Sequence, residues 1–450
     1  MTYYRLINLT AVVLFSILFS AQIIPQQQVY DKIRAMSDSI SLSNLDHHIR
    51  VLERAGGHYS RVTLTAGNDS GRQYISNTLR AIPGLAVTED TFYISNAPSP
   101  YNTKPIINVI ADIPGTNPNG GYYILGAHYD CSASRMGSTV WNQQYLTIRA
   151  PGADDNATGV AGLIEMARVL SDTSFGFRPE YSIKLVAFAA EESSPGYTGS
   201  HLGSKDYATR AFNRGDVIHG MISLDMVGYN NTNYYTAVVS NQQSQLLGEK
   251  MIEARDLFNI DILMNQPPFV NATYSDHDQF WAKGYKAILV IENAPPWNNG
   301  PYYTANPLYH TSYDSAGSVN LELVKRVTQL NLVTLSSFAS RLTDVDDTEV
   351  AEKNIELYSN YPNPFKDVTR IRYAVGAGMK PDGVNNRYSA RVVIKVYDVL
   401  GKEAATLLDE EMEPGTYQVE FNGAGLASGI YYYRIQQGAE VKTRKMVLVR

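Results

Sequence analysis

Five short stretches of this 450-residue chain place a carboxylate or a histidine at, or just past, the end of an apolar run. They are His128 with Asp130 in GAHYD, Asp154 and Asp155 in PGADDNATG, Glu191 and Glu192 in FAAEE, Asp225 in SLDMVGY, and His310 in LYHTSYD. Carboxylate and imidazole donors without thiolates suit zinc or a similarly borderline divalent ion, so the first expectation is metal-assisted hydrolysis. One acidic residue after a strand is ordinarily a helix cap or a solvated loop charge. Several at successive strand ends, with an acidic pair in a glycine-flanked loop, favour chemistry. Cys131, beside His128 and Asp130, reads as a small buried residue, because the oxygen and nitrogen donor set is complete without it.

Those residues need strands to carry them. Ile106–Ile110, Tyr122–Ala127, Ile183–Ala189, Met221–Leu224 and Ala287–Ile291 are short, continuously apolar runs of the kind buried on both faces of a sheet. Between them Val160, Leu163, Ile164, Ala167 and Leu170 form a helical stripe, with Asn156 or Thr158 available to cap its start. The alternation predicts the α/β class over residues 29–342: a mixed, mostly parallel sheet with helices on both faces. In such sheets sites form beyond the carboxyl ends of the strands, which is where His128, Glu191, Glu192 and Asp225 fall.

Composition bounds the rest. With 44% hydrophobic and 18% charged residues, the chain can bury a large core and should form more than one domain. A net charge of -6 provides no basic field for nucleic acid or an anionic membrane. One cysteine excludes a disulfide within a monomer. At the N-terminus Arg5 precedes the apolar run Ala11–Phe19, too short to span a bilayer but suited to a signal peptide over residues 1–21, cleaved near Ala21. Export is expected, with no stable transmembrane segment after removal of the signal. Residues 343–354, polar and acidic, read as a linker. Beyond it the period changes to two. Ala390–Tyr397, Thr416–Phe421, Gly429–Ile435 and Lys442–Val449 predict a small all-β sandwich, over residues 355–450, carrying no acid and base set.

Taken together, GAHYD, PGADDNATGVAGLIEMAR, VAFAAEE, GSKDYA, SLDMVGY, YSDHDQF and YHTSYD resemble, in order and spacing, the zinc-dependent M28 peptidases, over residues 40–342. The resemblance implies a peptidase unit over residues 22–342 holding two zinc ions per chain. It makes Asp154 the carboxylate bridging them, His128 and Asp225 ligands of one ion, and Glu192 and His310 ligands of the other. Glu191 becomes the general base and Asp130 the orienter of His128; Tyr309 donates its hydroxyl to the oxyanion. Asp276 looks like part of the supporting shell, and Asp155 braces the site or caps the following helix. Glu292 and Asp314 are neighbours without roles. His47, His48, His58, His201 and His219 are expected to be structural or solvated. The segment SSPGYTGSHL, after Glu192, is longer than the family's usual connection.

An aminopeptidase acting on peptides is the favoured activity. A carboxypeptidase or dipeptidase shares the ligand shell, and a glutaminyl cyclase of the same fold, with one zinc, is the alternative from another class. The intact Glu191 and Glu192 pair weighs against a binding protein on a degenerate enzyme fold. The tail motifs YPNPF, VYDVLGKE, GTYQVEF, LASGIYYYR and KTRKMVLVR are similar to the C-terminal sorting domain of the type IX, or Por, secretion system. That implies the secretion machinery as a partner and a secreted or cell-surface location.

Overall fold

The computed structural model describes residues 26–449 apart from 96, 118, 196–198, 266–271, 294–298, 301, 341, 343–354, 359, 361–362, 377–388 and 414. The expected signal segment and linker therefore lie outside the described residues.

Among the described residues the first part of the chain has eight strands: β1 Ala86–Phe92, β2 Ile106–Ile113, β3 Tyr122–His128, β4 Ser182–Phe188, β5 Ile218–Leu224, β6 Tyr235–Ser240, β7 Leu263–Met264 and β8 Ala287–Ile291. They form one sheet in the order β1-β2-β4-β3-β5-β8-β6-β7. The central four, β4, β3, β5 and β8, are parallel, and β1, β2 and β6 join antiparallel. The helices are α1 Gln26–Asp38, α2 Leu42–Glu53, α3 Ala66–Arg80, α4 Ser138–Gln144, α5 Gly159–Ser171, α6 Leu202–Arg214, α7 Gln245–Phe258, α8 His277–Trp281 and α9 Leu321–Ala339. Several begin at residues whose side chains accept from the first turn: Ser41 for α2, Thr65 for α3 and Asn320 for α9.

Alternation along each strand sends side chains to two cores. In β3, Tyr123, Leu125 and Ala127 pack with α5, α9 and other helices on one face, while Tyr122 and Ile124 pack with α6 and α8 on the other. This is why the central strands read as continuous apolar runs. All five predicted strands are present. The three strands of this sheet not predicted differ in kind: β1, AVTEDTF, is a half-exposed edge whose polar residues hide it from an apolar-run criterion, β6, YTAVVS, is buried throughout but has polar residues at Thr236 and Ser240, and β7 is only two residues long.

In the C-terminal part the described strands pair antiparallel. Its strands are β9 Glu356–Leu357, β10 Val368–Val375, β11 Ala390–Asp398, β12 Glu403–Met412, β13 Gly415–Asn422, β14 Gly429–Gln437 and β15 Glu440–Leu448. Two sheets, β13-β10-β9 and β12-β11-β14-β15, share one core in which Ile371, Tyr373 and Phe421 meet Val392, Ile394, Val396 and Tyr433. This is the expected sandwich.

Candidate metal centre

His128 closes β3, Asp225 follows the last residue of β5, and Glu191 and Glu192 lie just past the end of β4. The parallel sheet thus brings three sequence-distant segments to one edge. His128 Nε2 is 3.2 Å from Asp225 Oδ1 and 3.3 Å from Asp155 Oδ1. His310 Nε2 is 2.6 Å from Glu192 Oε1 and 3.0 Å from Asp155 Oδ2. Two three-residue sets therefore meet at one carboxylate, each oxygen of which faces a different histidine. Within each set the donor atoms lie within 4.8 Å of one another.

The shared carboxylate is Asp155, not Asp154, which corrects the expectation from the sequence. Both belong to the wide turn Ala153–Thr158, where Asp155 (φ -108°, ψ 92°) departs from helical geometry. Adjacent side chains consequently turn to different sides. Asp154 turns away from both histidines: Oδ1 accepts from the Gly228 amide at 2.7 Å and Oδ2 from Asn306 Nδ2 at 2.8 Å. The cap of α5 falls to Asn156, whose Oδ1 accepts from the Gly159 amide; Thr158, the other expected cap, donates to the Asp154 carbonyl instead.

The turn is held from below. Asp314 accepts from the amides of Asp154 and Asp155 through its two oxygens. Arg61, fully buried, donates to the carbonyls of Tyr129, Leu52, Pro151 and Gly152, tying the segment after His128 to the segment before Asp154. Gly152 has φ 55°, and a Cβ there would lie 2.4 Å from that of Cys131, so the approach requires glycine. Cys131 is buried as expected; it accepts from the Arg61 amide and donates to the Ala150 carbonyl, and burial pushes its thiol up to about 12. The role of Arg61 left no signal in the sequence, because an isolated arginine before a helix normally reads as solvated.

Asp130 accepts from the Glu191 and Glu192 amides and from Thr63, and stands 3.5 Å from His128 Nδ1. Its hydrogen bonds fix the strand ends relative to one another more directly than they fix the imidazole. Four non-glycine residues in or beside the cluster have positive φ: Ala190, His201, Met226 and His310. Such backbone is costly and persists where the surroundings over-determine it, as at functional sites.

The electrostatics fit a cation. Burial would raise the Asp155 carboxyl, but the two imidazoles outweigh it and hold the group below the usual carboxylate range. Burial pushes Glu192 up to about 8 and Asp225 above its ordinary range. Burial would lower His310, yet Glu192 and Asp155 carry it up to about 10; His128 is raised in the same way, chiefly by Asp225. Buried carboxylates crowded around imidazoles call for positive charge, which divalent ions supply through these same donor atoms.

Above the cluster is a cavity of about 230 Å³, lined by the ligand-type residues, Glu191, His201, Met226, Thr273, Tyr274, Ile291 and Tyr309. The Tyr309 ring stacks on His310, with centroids 3.8 Å apart. Asp276 is fully buried, and burial followed by the Glu191 charge pushes its carboxyl up to about 8. His201, expected to be structural or solvated, instead lies 2.9 Å from Glu191. Its side chain contributes to the cavity wall, and burial, which would lower it, is outweighed by Glu191 and Asp278, so that it is pushed up to about 11.

With this geometry the kinship of the chain is plain. Residues 108–335 match Peptidase family M28, and residues 359–449 match the secretion system C-terminal sorting domain. The chain belongs to peptidase family M28, and it is a zinc-dependent hydrolase. A probable zinc metalloprotease of Leptosphaeria maculans is 26% identical over 69% of this chain and 77% of its own length. The LapA aminopeptidase of Legionella pneumophila superposes with a TM-score of 0.53 at 19% identity, over 69% of this chain and 74% of that one. The glutaminyl cyclase of Porphyromonas gingivalis gives 0.50 at 22% identity, over 66% and 98%. At these identities the two structures are alike in fold alone.

Proposed function

We propose that this chain is an exported aminopeptidase with two zinc ions: His128 and Asp225 would hold one, Glu192 and His310 the other, and Asp155 would offer one carboxylate oxygen to each set. The observation that carries the reading is the division of Asp155, one oxygen beside each histidine. Bound there, the ions would supply Lewis acidity toward the scissile carbonyl and lower the pKa of a water between them. Glu191, in the cavity wall beside the ligand Glu192, takes a proton from the attacking water and returns it to the departing amine. Tyr309, stacked on His310, donates its hydroxyl toward the oxygen that gains charge. Asp130, Asp154 and Asp276 support the ligands and Glu191 from behind.

The size of the cavity supports the reading of exopeptidase action. At about 230 Å³ it suits a single terminal residue held beside the donor atoms. Met226 and Ile291 make part of its wall apolar. A cyclase with one ion leaves one of the two donor sets without purpose. Residues 22–342 form the catalytic unit, 343–354 the linker, and 355–450 the address for type IX secretion to the exterior or cell surface, after a signal peptide has brought the chain through the inner membrane. No helix among the described residues is long and apolar enough to cross a membrane.

Zinc titration of the chelated enzyme, assayed on free and N-acetylated peptides, tests these claims together. Chelation should abolish hydrolysis, about two equivalents of zinc should restore it, and acetylated peptides should resist cleavage. Full activity at one equivalent would reject the two-ion reading. Equal cleavage of acetylated peptides would reject the aminopeptidase.

A further inference from the structure

His201 has no part in the chemistry above, yet its surroundings single it out. The side chain is nearly buried, with Nε2 2.9 Å from Glu191 Oε1 and Nδ1 3.1 Å from Asp278 Oδ1. An imidazole with a carboxylate at each nitrogen is fixed in its plane, and each carboxylate is fixed in turn. The adjacent glutamates are thereby separated: Glu192 faces His310, and Glu191 faces His201.

The main chain repeats the connection. The amides of His201, Leu202 and Gly203 donate to the carbonyls of Glu191, Ala190 and Ala189 at 2.8, 2.8 and 2.9 Å. This close pairing needs glycine at 203, where a Cβ would lie 2.5 Å from the Ala189 oxygen. His201 itself adopts φ 54°, a left-handed conformation that costs energy for a non-glycine residue. The long connection after Glu192 thus returns to its own starting point and sets an imidazole against the carboxylate.

We propose that His201, braced by Asp278, is a positioning residue for Glu191: its ring holds Oε1 in place and leaves Oε2 as the oxygen presented to substrate and water. The proposal rests on the reading of Glu191 as general base. A base must stay within about 2.6–3.2 Å of the proton it takes. A glutamate free to change rotamer spends only part of its time there, and displacement by about 1 Å can cost on the order of 100-fold in rate.

The test compares His201→Ala, His201→Gln and Asp278→Asn in the zinc-loaded full-length enzyme, alone and combined with Glu191→Gln. His201→Ala should lower kcat by about 10- to 100-fold with KM within about twofold and zinc content unchanged. His201→Gln, whose amide can still donate to Glu191, should recover part of the loss, and Asp278→Asn should lose less than His201→Ala. In the Glu191→Gln background His201→Ala should add nothing, since the group it positions can no longer accept a proton. The proposal is overturned if His201→Ala keeps kcat within about twofold of the parent enzyme, or if its full loss persists in the Glu191→Gln background. Should His201→Ala fail to fold, parental kcat in both His201→Gln and Asp278→Asn overturns it equally. Near-normal turnover by Glu191→Gln alone would instead remove the general-base reading, a result distinct from an inactive Glu191→Gln with neutral changes at His201.

Discussion

The two halves of the cluster are built differently. His128 and Asp225 stand at the ends of β3 and β5, neighbouring strands in parallel register, with side chains 1% and 7% exposed. Glu192 and His310 lie on connections between elements, their side chains 10% and 14% exposed, and His310 depends on left-handed backbone. The first pair is set by the hydrogen-bond ladder of the sheet. The second pair is set by loops that meet through the contact between Glu192 and His310. A preorganised donor set binds with less ordering cost, so the strand-borne half should hold its ion more tightly.

Asp155 belongs to both halves, and its loss should do the greatest damage. Asp155→Asn should abolish binding of the second equivalent of zinc, weaken the first, and take turnover to background, since an amide offers one acceptor oxygen where the two sets need two. Asp154→Asn should retain both equivalents and lose about 10- to 100-fold in activity, as for a change behind the ligands. Metal analysis of the two purified variants decides between neighbouring residues. The opposite ranking would return the shared position to Asp154.

A smaller effect separates the halves. His310→Ala should leave one equivalent of zinc bound at close to its parental affinity, because the strand-borne donors need no loop to assemble them. His128→Ala should weaken the zinc that remains, leaving only the loop-borne pair and Asp155. Calorimetric titration of the two variants reads the difference directly. Equal residual affinities would show that the sheet confers no advantage and would erase the distinction between the halves.

The sequence revealed most of this cluster and missed its detail for definite physical reasons. Runs such as Tyr122–Ala127 are apolar because both faces of the central strands are covered, so their ends, and the histidine and carboxylates beside them, could be located by pattern. Asp154 and Asp155 could not be separated by pattern, because both occupy the same turn and only its departure from helical φ and ψ decides which side chain faces the histidines. His201 gives no signal in the sequence, because it follows Glu191 by ten residues in a connection without periodicity; the backbone pairing of residues 201–203 with 189–191 brings it back. The edge strand β1 escaped for the opposite reason to the central ones, since half-exposure mixes polar residues into it.

The smallest expected catalytic effect is that of the sandwich. Every donor in the two sets precedes the linker, and among the described residues neither potential metal-binding group draws on the C-terminal strands. Their apolar residues form a core of their own, from Ile355 to Leu448. The matches to the peptidase family and to the sorting domain also occupy separate stretches of the chain. Removal of residues 355–450 should therefore leave kcat/KM of the purified, zinc-loaded enzyme within about twofold of the parent. The same deletion should keep the protein from appearing outside the producing cell, as measured by peptidase activity and protein in the medium and on the cell surface. A folded, zinc-replete truncation that had lost catalysis would show that the sandwich supports one of the two halves, with the loop-borne half the more vulnerable. Undiminished export without it would separate the C-terminal sheets from sorting and leave them as a surface for another interaction.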